Sequence, residues 1–202
     1  MAPQNDHHSP WDARKRHGQD MMEGGSMFQK LHHVAYRCRD AQETVDFYTR
    51  VLGLKYAAGE ASPEGHKPYG DEVDLIHIFF ECGDGSYVAF FDLPSSPPAE
   101  ADRNTPNWVN HIAFEVPSMD ALLEGKRRLE AAGVDVLGPK DHRFCQSIYF
   151  FDPNGIRLEM TVRTEAPGEL DRMERAAGDQ LAAWNTRKQR KYGPPAAVPA
   201  AV

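Results

Sequence analysis

The stretch IYFFDPNGIRLEM, residues 148–160, decides the fold. Two apolar runs flank the turn signal DPNG at 152–155, so the stretch predicts two antiparallel strands joined by a tight turn. A second stretch of the same kind, IFFECGDGSYVAF, occupies residues 78–90, and the two align with Gly85 opposite Gly155. A repeat with a period of about 75 residues indicates two copies of one supersecondary unit rather than a solenoid.

The segments ahead of the two hairpins also correspond. HHVAYRC at 32–38 and NHIAFEV at 110–116 each predict a strand, and a helical apolar pattern follows each of them. Gly53 is expected to end the first helix, whereas Ser118 caps the second and Gly133 ends it. A short strand is predicted between each helix and its hairpin, at 54–58 and at 134–138. The order of elements in each copy is therefore βαβββ.

The bulk composition excludes several classes of protein. Hydrophobic residues make up 41% and charged residues 26% of the 202 residues, which is typical of a globular chain. The net charge of −7 argues against a nucleic-acid partner, because such binding depends on cationic contacts to phosphate. No apolar run approaches the roughly 20 residues that span a bilayer. Neither a membrane span nor a signal peptide is expected.

The three cysteines are odd in number and form no close pair in the sequence. They fit small core thiols in a reducing compartment, so a cytoplasmic location is expected.

The patterned part of the chain predicts one domain with an appended helix. The predicted divisions are a disordered tail at 1–27, a domain at 28–164 with modules at 28–94 and 107–164, a helix at 168–190, and a disordered tail at 191–202. The apolar positions of that helix recur at helical spacing and are Leu170, Met173, Ala177, Leu181 and Trp184. This stripe is expected to pack on the domain or on a second subunit, and a lid is the alternative.

Alternation along the strands predicts which side chains share a face, because successive residues of a strand point to opposite sides. His33 and His111 stand at equivalent positions of the two first strands, and Glu159 falls on the same predicted face of a last strand. Ala89 stands where Glu159 stands in the other copy. His32 is expected on the opposite, helix-facing side.

Two neutral imidazoles and one carboxylate on three strands predict a metal site. The set His33, His111 and Glu159 matches the facial triad of non-haem Fe(II), with Mn(II) or another divalent metal as alternatives, and it leaves positions open for substrate and oxygen. The competing interpretation is that the two histidines are hydrogen-bonded interior residues and that Glu159 is exposed. The matched positions of all three favour the metal site.

The motifs HHVAYRCRDAQETVDFYTRVLGL, NHIAFEV and SIYFFDPNGIRLEMT resemble the vicinal oxygen chelate superfamily, which includes glyoxalase I, type I extradiol dioxygenases and bleomycin resistance proteins. The resemblance implies an α+β fold in which two paired βαβββ modules form a curved mixed sheet, a cup around one metal. The ligand positions of that family correspond to His33, Ala89, His111 and Glu159. Alanine at 89 leaves the His-His-Glu set of the ring-cleaving members, whereas glyoxalase-like members usually fill all four positions.

The resemblance also implies two candidate catalytic residues. Tyr149 lies ten residues before Glu159, the spacing at which ring-cleaving members place a tyrosine beside the metal-bound substrate. His142, in the loop before that strand, corresponds to a histidine that similar proteins keep near the substrate, where it could serve in acid–base catalysis. A half-buried strand aromatic and an exposed loop histidine are the competing interpretations. The acid–base histidine of catechol-cleaving members is replaced by Ser86 or Tyr87, and His77 on a neighbouring strand is more simply an interior histidine.

The sequence therefore predicts a metal-dependent enzyme, with an Fe(II) extradiol-type dioxygenase of a small vicinal-diol or catechol-like substrate as the first hypothesis. A glyoxalase-like isomerase, lyase or epimerase that uses no O₂ is the second hypothesis, and a drug- or metabolite-binding protein without turnover is the third. The expected partners are a small-molecule substrate and, as a homodimer, a second copy of the chain.

Overall fold

The computed structural model describes residues 28, 30–65, 73–96 and 104–193. The predicted tail at 1–27 lies outside these residues, as does most of the predicted tail at 191–202. The described residues fall into two compact units. The first unit contains the described residues up to Ala41 and those from Leu54 to Ser95, and the second contains 42–53 and the described residues from Ser96 onward. The predicted domain boundaries stay predictions.

Each unit contains a four-stranded mixed sheet. The first sheet consists of β1 (His33–Cys38), β2 (Lys55–Ala61), β3 (Ile76–Glu81) and β4 (Tyr87–Asp92), in the spatial order β1-β4-β3-β2. The second consists of β5 (His111–Glu115), β6 (Leu137–Asp141), β7 (Cys145–Phe151) and β8 (Arg157–Arg163), in the order β5-β8-β7-β6. In each sheet the first and last strands pair in parallel and the other pairs are antiparallel. The identical order confirms the predicted α+β fold class and its internal repeat.

The turns of the two hairpins are set by the residues that the sequence marks. Gly85 and Gly155 both adopt left-handed φ angles, 75° and 78°, which a side chain would strain. Oδ1 of Asp152 accepts hydrogen bonds from the backbone N–H groups of Asn154 and Ile156, at 2.9 and 2.8 Å. This Asx-type capping closes the turn between β7 and β8 and fixes their register.

Three helical segments accompany the sheets in the described part of the chain. They are α1 (Ala41–Asp46), which continues into a π-helical turn at Phe47–Val51, α2 (Met119–Ala131) and α3 (Glu169–Tyr192). Ser118 caps α2 as predicted, because its side chain accepts from the N–H of Ala121 at 3.2 Å. Gly125 of α2 lies so close to Met160 that an added Cβ would come 2.5 Å from the Met160 Cε. Met160 is therefore on the helix-facing side of β8, as the alternation requires.

The segment 42–53 belongs to the second unit although it precedes most of the first sheet in sequence. Tyr48, which is wholly buried, donates from its hydroxyl to Oδ2 of Asp152 at 3.1 Å. The Asn154 side-chain amide donates to Oγ1 of Thr44 at 3.3 Å. Burial raises the pKa of Asp152, against the opposing effect of its hydrogen bonds. The β7–β8 turn is thus held by a helix from far earlier in the chain.

The C-terminal helix extends two residues past its predicted end at 190. None of its residues is buried, and Leu181 and Trp184 are 61% and 46% exposed. Within the described ranges, no helix combines the length and apolar character that crossing a membrane requires.

Two predicted strands are displaced in the structure. The strand predicted at 134–138 is found at Leu137–Asp141, and the one predicted at 54–58 runs on to Ala61. Both are edge strands whose residues are mostly exposed, so their apolar pattern was too weak to place their ends.

Candidate functional site

The second unit brings His111 and Glu159 together. They lie on the adjacent parallel strands β5 and β8, where Ala113 pairs with Glu159 and His111 pairs with Arg157. Nε2 of His111 is 3.0 Å from Oε2 of Glu159. Glu159 is only 7% exposed, so the interpretation that placed it in solvent is wrong. A carboxylate taken this far out of water needs a cationic or hydrogen-bonding partner.

The hydrogen bond on the far side of the His111 ring orients it. Nδ1 is 2.9 Å from the carbonyl oxygen of Val109, and only an N–H can bond to that acceptor. In the neutral ring, Nε2 then carries a lone pair and faces the carboxylate, so a proton or a cation must lie between the two atoms. Metal-binding histidines commonly donate their other N–H to a backbone carbonyl in this way.

The spacing of the two atoms also fits a metal. Ligands at right angles to each other, each about 2.1 Å from a metal, lie about 3.0 Å apart. The imidazole of His111 and the carboxylate of Glu159 are donors that suit Fe(II) or Mn(II). These two side chains therefore fit two of the three predicted ligand positions.

Tyr149 and His142 join the same cluster. The Tyr149 hydroxyl donates to Oε1 of Glu159 at 3.2 Å and lies 2.7 Å from Nε2 of His142. Because the phenol proton is directed to Glu159, Nε2 of His142 must be the donor in the second bond. Burial, and then the nearby Glu159 charge, raises the pKa of Tyr149 and keeps the phenol protonated. Tyr149, His142, His111 and Glu159 thus form one hydrogen-bonded chain.

Arg157 stands beside this hydrogen-bonded chain, and no functional role was predicted for it from the sequence. Its guanidinium carbon lies 4.5 Å from the centroid of the Tyr149 ring and 5.9 Å from that of Phe151. The signal that could have revealed it is its position two residues before Glu159, because such residues share a face of the strand.

His33 lies in the first unit and is described with it. It begins β1, and its Nδ1 is 2.8 Å from Nδ1 of His32. The prediction that His32 points away from His33 is wrong. His32 precedes the strand, so the pleat does not set its direction, and its ring lies 5.9 Å from that of Tyr87, the strand partner of His33.

His77 packs on the His33 side of the first sheet. Its ring stacks on Phe91 with centroids 3.7 Å apart and lies 6.2 Å from the His33 ring. Burial, and then the nearby His33, lowers the pKa of His77. Its Nε2 is buried and has no hydrogen-bond partner among the described residues.

In the part of the chain that the structure describes, no three His, Cys, Asp or Glu side chains are grouped closely enough to hold a metal. The set of His33, His111 and Glu159 draws on both units, and it stays a prediction. Of these three residues, His111 and Glu159 lie in the second unit and contact each other there.

A family model matches most of the patterned chain. The model describes the Glyoxalase/Bleomycin resistance protein/Dioxygenase superfamily and matches residues 30–160, well over half of the chain. The match includes all five predicted site residues.

Among the relatives of this chain, MhqA of Bacillus subtilis, provisionally named a ring-cleaving dioxygenase, is 32% identical over 141 residues. That match covers 68% of this chain but only 42% of MhqA, so the chain spans less than half of this relative. Lactoylglutathione lyase of Pseudomonas aeruginosa is 27% identical, with 70% of this chain and 86% of the lyase covered. The glutathione transferase FosA of Serratia marcescens is 30% identical, with 67% and 82% covered.

A solved structure supports the fold alone. The glyoxylase/bleomycin resistance protein/dioxygenase domain from Frankia sp. EAN1pec superimposes with a TM-score of 0.55 at 21% identity, covering 71% of this chain and 98% of that domain. With the repeated sheets, the family match and the relatives in agreement, the chain belongs to the Glyoxalase/Bleomycin resistance protein/Dioxygenase superfamily.

Proposed function

We propose that the chain is a metal-dependent dioxygenase of the extradiol type, acting on a small catechol-like or vicinal-diol substrate. The observation that carries the proposal is the contact between His111 and Glu159, with Tyr149 hydrogen-bonded to the second oxygen of the carboxylate. Both carboxylate oxygens are thereby held in place from the two strands that flank β8.

His111, Glu159 and His33 would hold the metal, Fe(II) first and Mn(II) second. When bound, such a metal acidifies a coordinated substrate hydroxyl and provides a site for O₂. The 32% identity to MhqA supports this reaction class, and Ala89 at the position equivalent to Glu159 favours a three-ligand set over a four-ligand one.

The residues of this chain then have separate roles. Val109 fixes the His111 ring through its carbonyl oxygen, and Tyr149 holds Glu159. The Tyr149 phenol can turn its proton from Glu159 toward a substrate oxygen, because the O–H bond rotates about the bond that joins the oxygen to the ring. His142 supplies an N–H to the phenol oxygen and could in turn exchange a proton with substrate.

The experiment is anaerobic purification, loading with Fe(II), and measurement of metal content and of oxygen uptake with a panel of catechols. We expect one metal ion per chain and oxygen consumption. His111→Ala and Glu159→Gln should each lose the metal, whereas His8→Ala, in the predicted N-terminal tail, should keep it. Tightly bound zinc or nickel without oxygen uptake would contradict the dioxygenase proposal. Normal metal content in Glu159→Gln would contradict the assigned ligands.

A lyase or isomerase that uses no O₂ is the second candidate. It is favoured by the fact that the matches to lactoylglutathione lyase and FosA cover 86% and 82% of those proteins, whereas the match to MhqA covers 42%. Conversion of the hemithioacetal of methylglyoxal and glutathione, followed by absorbance under anaerobic conditions, distinguishes it from the dioxygenase. Ligand binding without any turnover would point instead to a drug- or metabolite-binding protein.

A homodimer through α3 is the third part of the proposal. The apolar stripe of α3 is exposed, with Met173, Leu181 and Trp184 each more than 40% accessible. The first half of the helix (169–180) has four acidic and two basic residues, net −2, and the second half (181–192) has four basic and none acidic, net +4. Two antiparallel copies would place opposite charges against each other along the stripe. A second copy of this chain is therefore the proposed occupant of the stripe.

A further inference from the structure

Arg157 presents a guanidinium group on the same strand face as Glu159. The residue is half-buried, pairs with His111 across β5 and β8, and stacks its guanidinium over the Tyr149 ring at 4.5 Å. Phe151, its partner across β7 and β8, contributes a second ring at 5.9 Å. The guanidinium is thus held against two aromatic rings beside the His111–Glu159 pair.

This cation has no anionic partner among the described residues. The ion pairs of the described chain do not include Arg157, and its Nε is buried without a hydrogen-bond partner. The nearest carboxylate along its own strand face, Glu159, has its oxygens engaged by His111 and Tyr149. A guanidinium has five N–H donors and stays charged at every relevant pH, so it leaves strong binding capacity unused.

We propose that Arg157 is a specificity-determining residue that binds the carboxylate of a small aromatic acid. A planar guanidinium recognises a carboxylate through two parallel N–H···O bonds, and rings already stacked beside it provide an apolar surface for the aromatic part of the ligand. The inference rests on the proposed function in one respect: it assumes that the substrate lies against the face of β8 that carries Arg157 and Glu159.

The test compares benzoate with benzamide, which is its neutral isostere. Neither probe has vicinal hydroxyls, so binding requires neither the metal nor turnover. Ligand-observed NMR titrations of the full-length chain should show benzoate binding about tenfold tighter than benzamide, since charge-assisted bonds are the stronger ones. Arg157→Gln should abolish this preference, and Arg157→Lys should retain part of it. Arg127→Gln, on the exposed side of α2, serves as the matched control and should leave the preference intact.

Several outcomes would overturn the inference. Equal binding of the two probes by the wild-type chain would do so, as would no binding of either, or a benzoate preference that survives in Arg157→Gln. If the wild-type chain prefers benzoate but consumes no oxygen with any catechol, the dioxygenase proposal fails and the role of Arg157 stands. If oxygen uptake is found, Arg157→Gln should raise KM for 3,4-dihydroxybenzoate with little change in kcat and leave KM for its amide unchanged.

Discussion

Tyr149 donates a hydrogen bond from its hydroxyl to Oε1 of Glu159 across 3.2 Å, and the two residues are direct partners in the β7–β8 register. The ten residues between Tyr149 and Glu159 therefore correspond to one hairpin, which brings the Glu159 side chain opposite that of Tyr149. Since the same phenol also bonds to His142, one residue links the carboxylate to the only part of the cluster that lies on a loop.

Replacing Tyr149 with Phe removes this link and keeps the ring under Arg157. A hydrogen bond to a charged group contributes about 1.5–3 kcal/mol, so kcat/KM of the metal-loaded enzyme should fall by roughly 10- to 100-fold. Steady-state oxygen uptake measures the change. Tyr192→Phe, at the exposed end of α3, is the control. Unchanged kcat/KM in Tyr149→Phe would leave the tyrosine as a packing residue only.

The carboxyl of Asp152 should make stability depend on pH in a defined direction. Its pKa is raised in the folded chain above the ordinary value of 3.8, so the folded state binds the proton more tightly than the unfolded state. The contribution of Asp152 to the free energy of unfolding is then greatest below pH 3.8, falls as the pH rises to the folded-state pKa, and is constant above it. Urea denaturation from acid to neutral pH should show this fall in the wild-type chain relative to Asp152→Asn. If the wild-type chain instead becomes more stable relative to Asp152→Asn as the pH rises over that interval, the predicted direction is wrong.

The buried hydroxyl of Tyr48 gives a separate test of the same contact. Tyr48→Phe leaves Oδ2 of Asp152 with one donor fewer, so the free energy of unfolding should fall by about 1–3 kcal/mol. Thermal or urea denaturation measures it, and Tyr36→Phe, at a tyrosine that is 40% exposed, should change little. Stability equal to that of the wild-type chain would mean that the hydroxyl gains nothing from Asp152.

His77 should be replaceable at a gain in stability. His77→Phe keeps a ring on Phe91 and removes a buried nitrogen that has no partner among the described residues, so the free energy of unfolding should rise by about 1 kcal/mol. Phe91→Leu removes the ring on which His77 stacks and introduces no polar atom, so it should instead lower the free energy of unfolding. If His77→Phe is less stable than the wild-type chain, or loses activity, then the imidazole has a role beyond packing.

The C-terminal helix should control the oligomeric state. Leu181→Glu puts a charge on the apolar stripe and should convert a dimer to a monomer, whereas Ala182→Glu adds the same charge to the opposite side of α3 and should not. Sedimentation velocity over a range of concentrations distinguishes the two. High salt should weaken the wild-type dimer, because it screens the opposed charges. A wild-type chain that sediments as a monomer throughout would end the dimer proposal.

The repeated hairpins could be predicted from sequence because turn residues and apolar runs are local signals. The DPNG turn, the Ser118 cap and the placing of Glu159 and Tyr149 on one face of the second sheet all follow from such signals, and the structure agrees with them. The matching position of His33 in the first unit follows from the same alternation.

Contacts that depend on long-range packing could not be predicted in this way. No local pattern joins Tyr48 to Asp152, which are 104 residues apart. The side-chain direction of His32 was predicted from the alternation of a strand. In the structure that strand begins at His33, so the alternation does not apply to His32. Arg157 lies two residues before Glu159 and so shares its strand face, but its stacking on Tyr149 depends on a side-chain rotamer that spacing does not determine.

The equal registers of the two sheets have an evolutionary consequence. Ala35 pairs with Ala89 in the first sheet as Ala113 pairs with Glu159 in the second, so one backbone position carries a methyl group in one copy and a carboxylate in the other. Two of the four alanine codons, GCA and GCG, become glutamate codons by a single base change. In the proposed set of His33, His111 and Glu159, Ala89→Glu would therefore add a fourth ligand and second carboxylate, and Glu159→Ala would remove the one carboxylate, with no change in strand pairing. One substitution would thus change the ligand set of the proposed metal site while the fold stays constant.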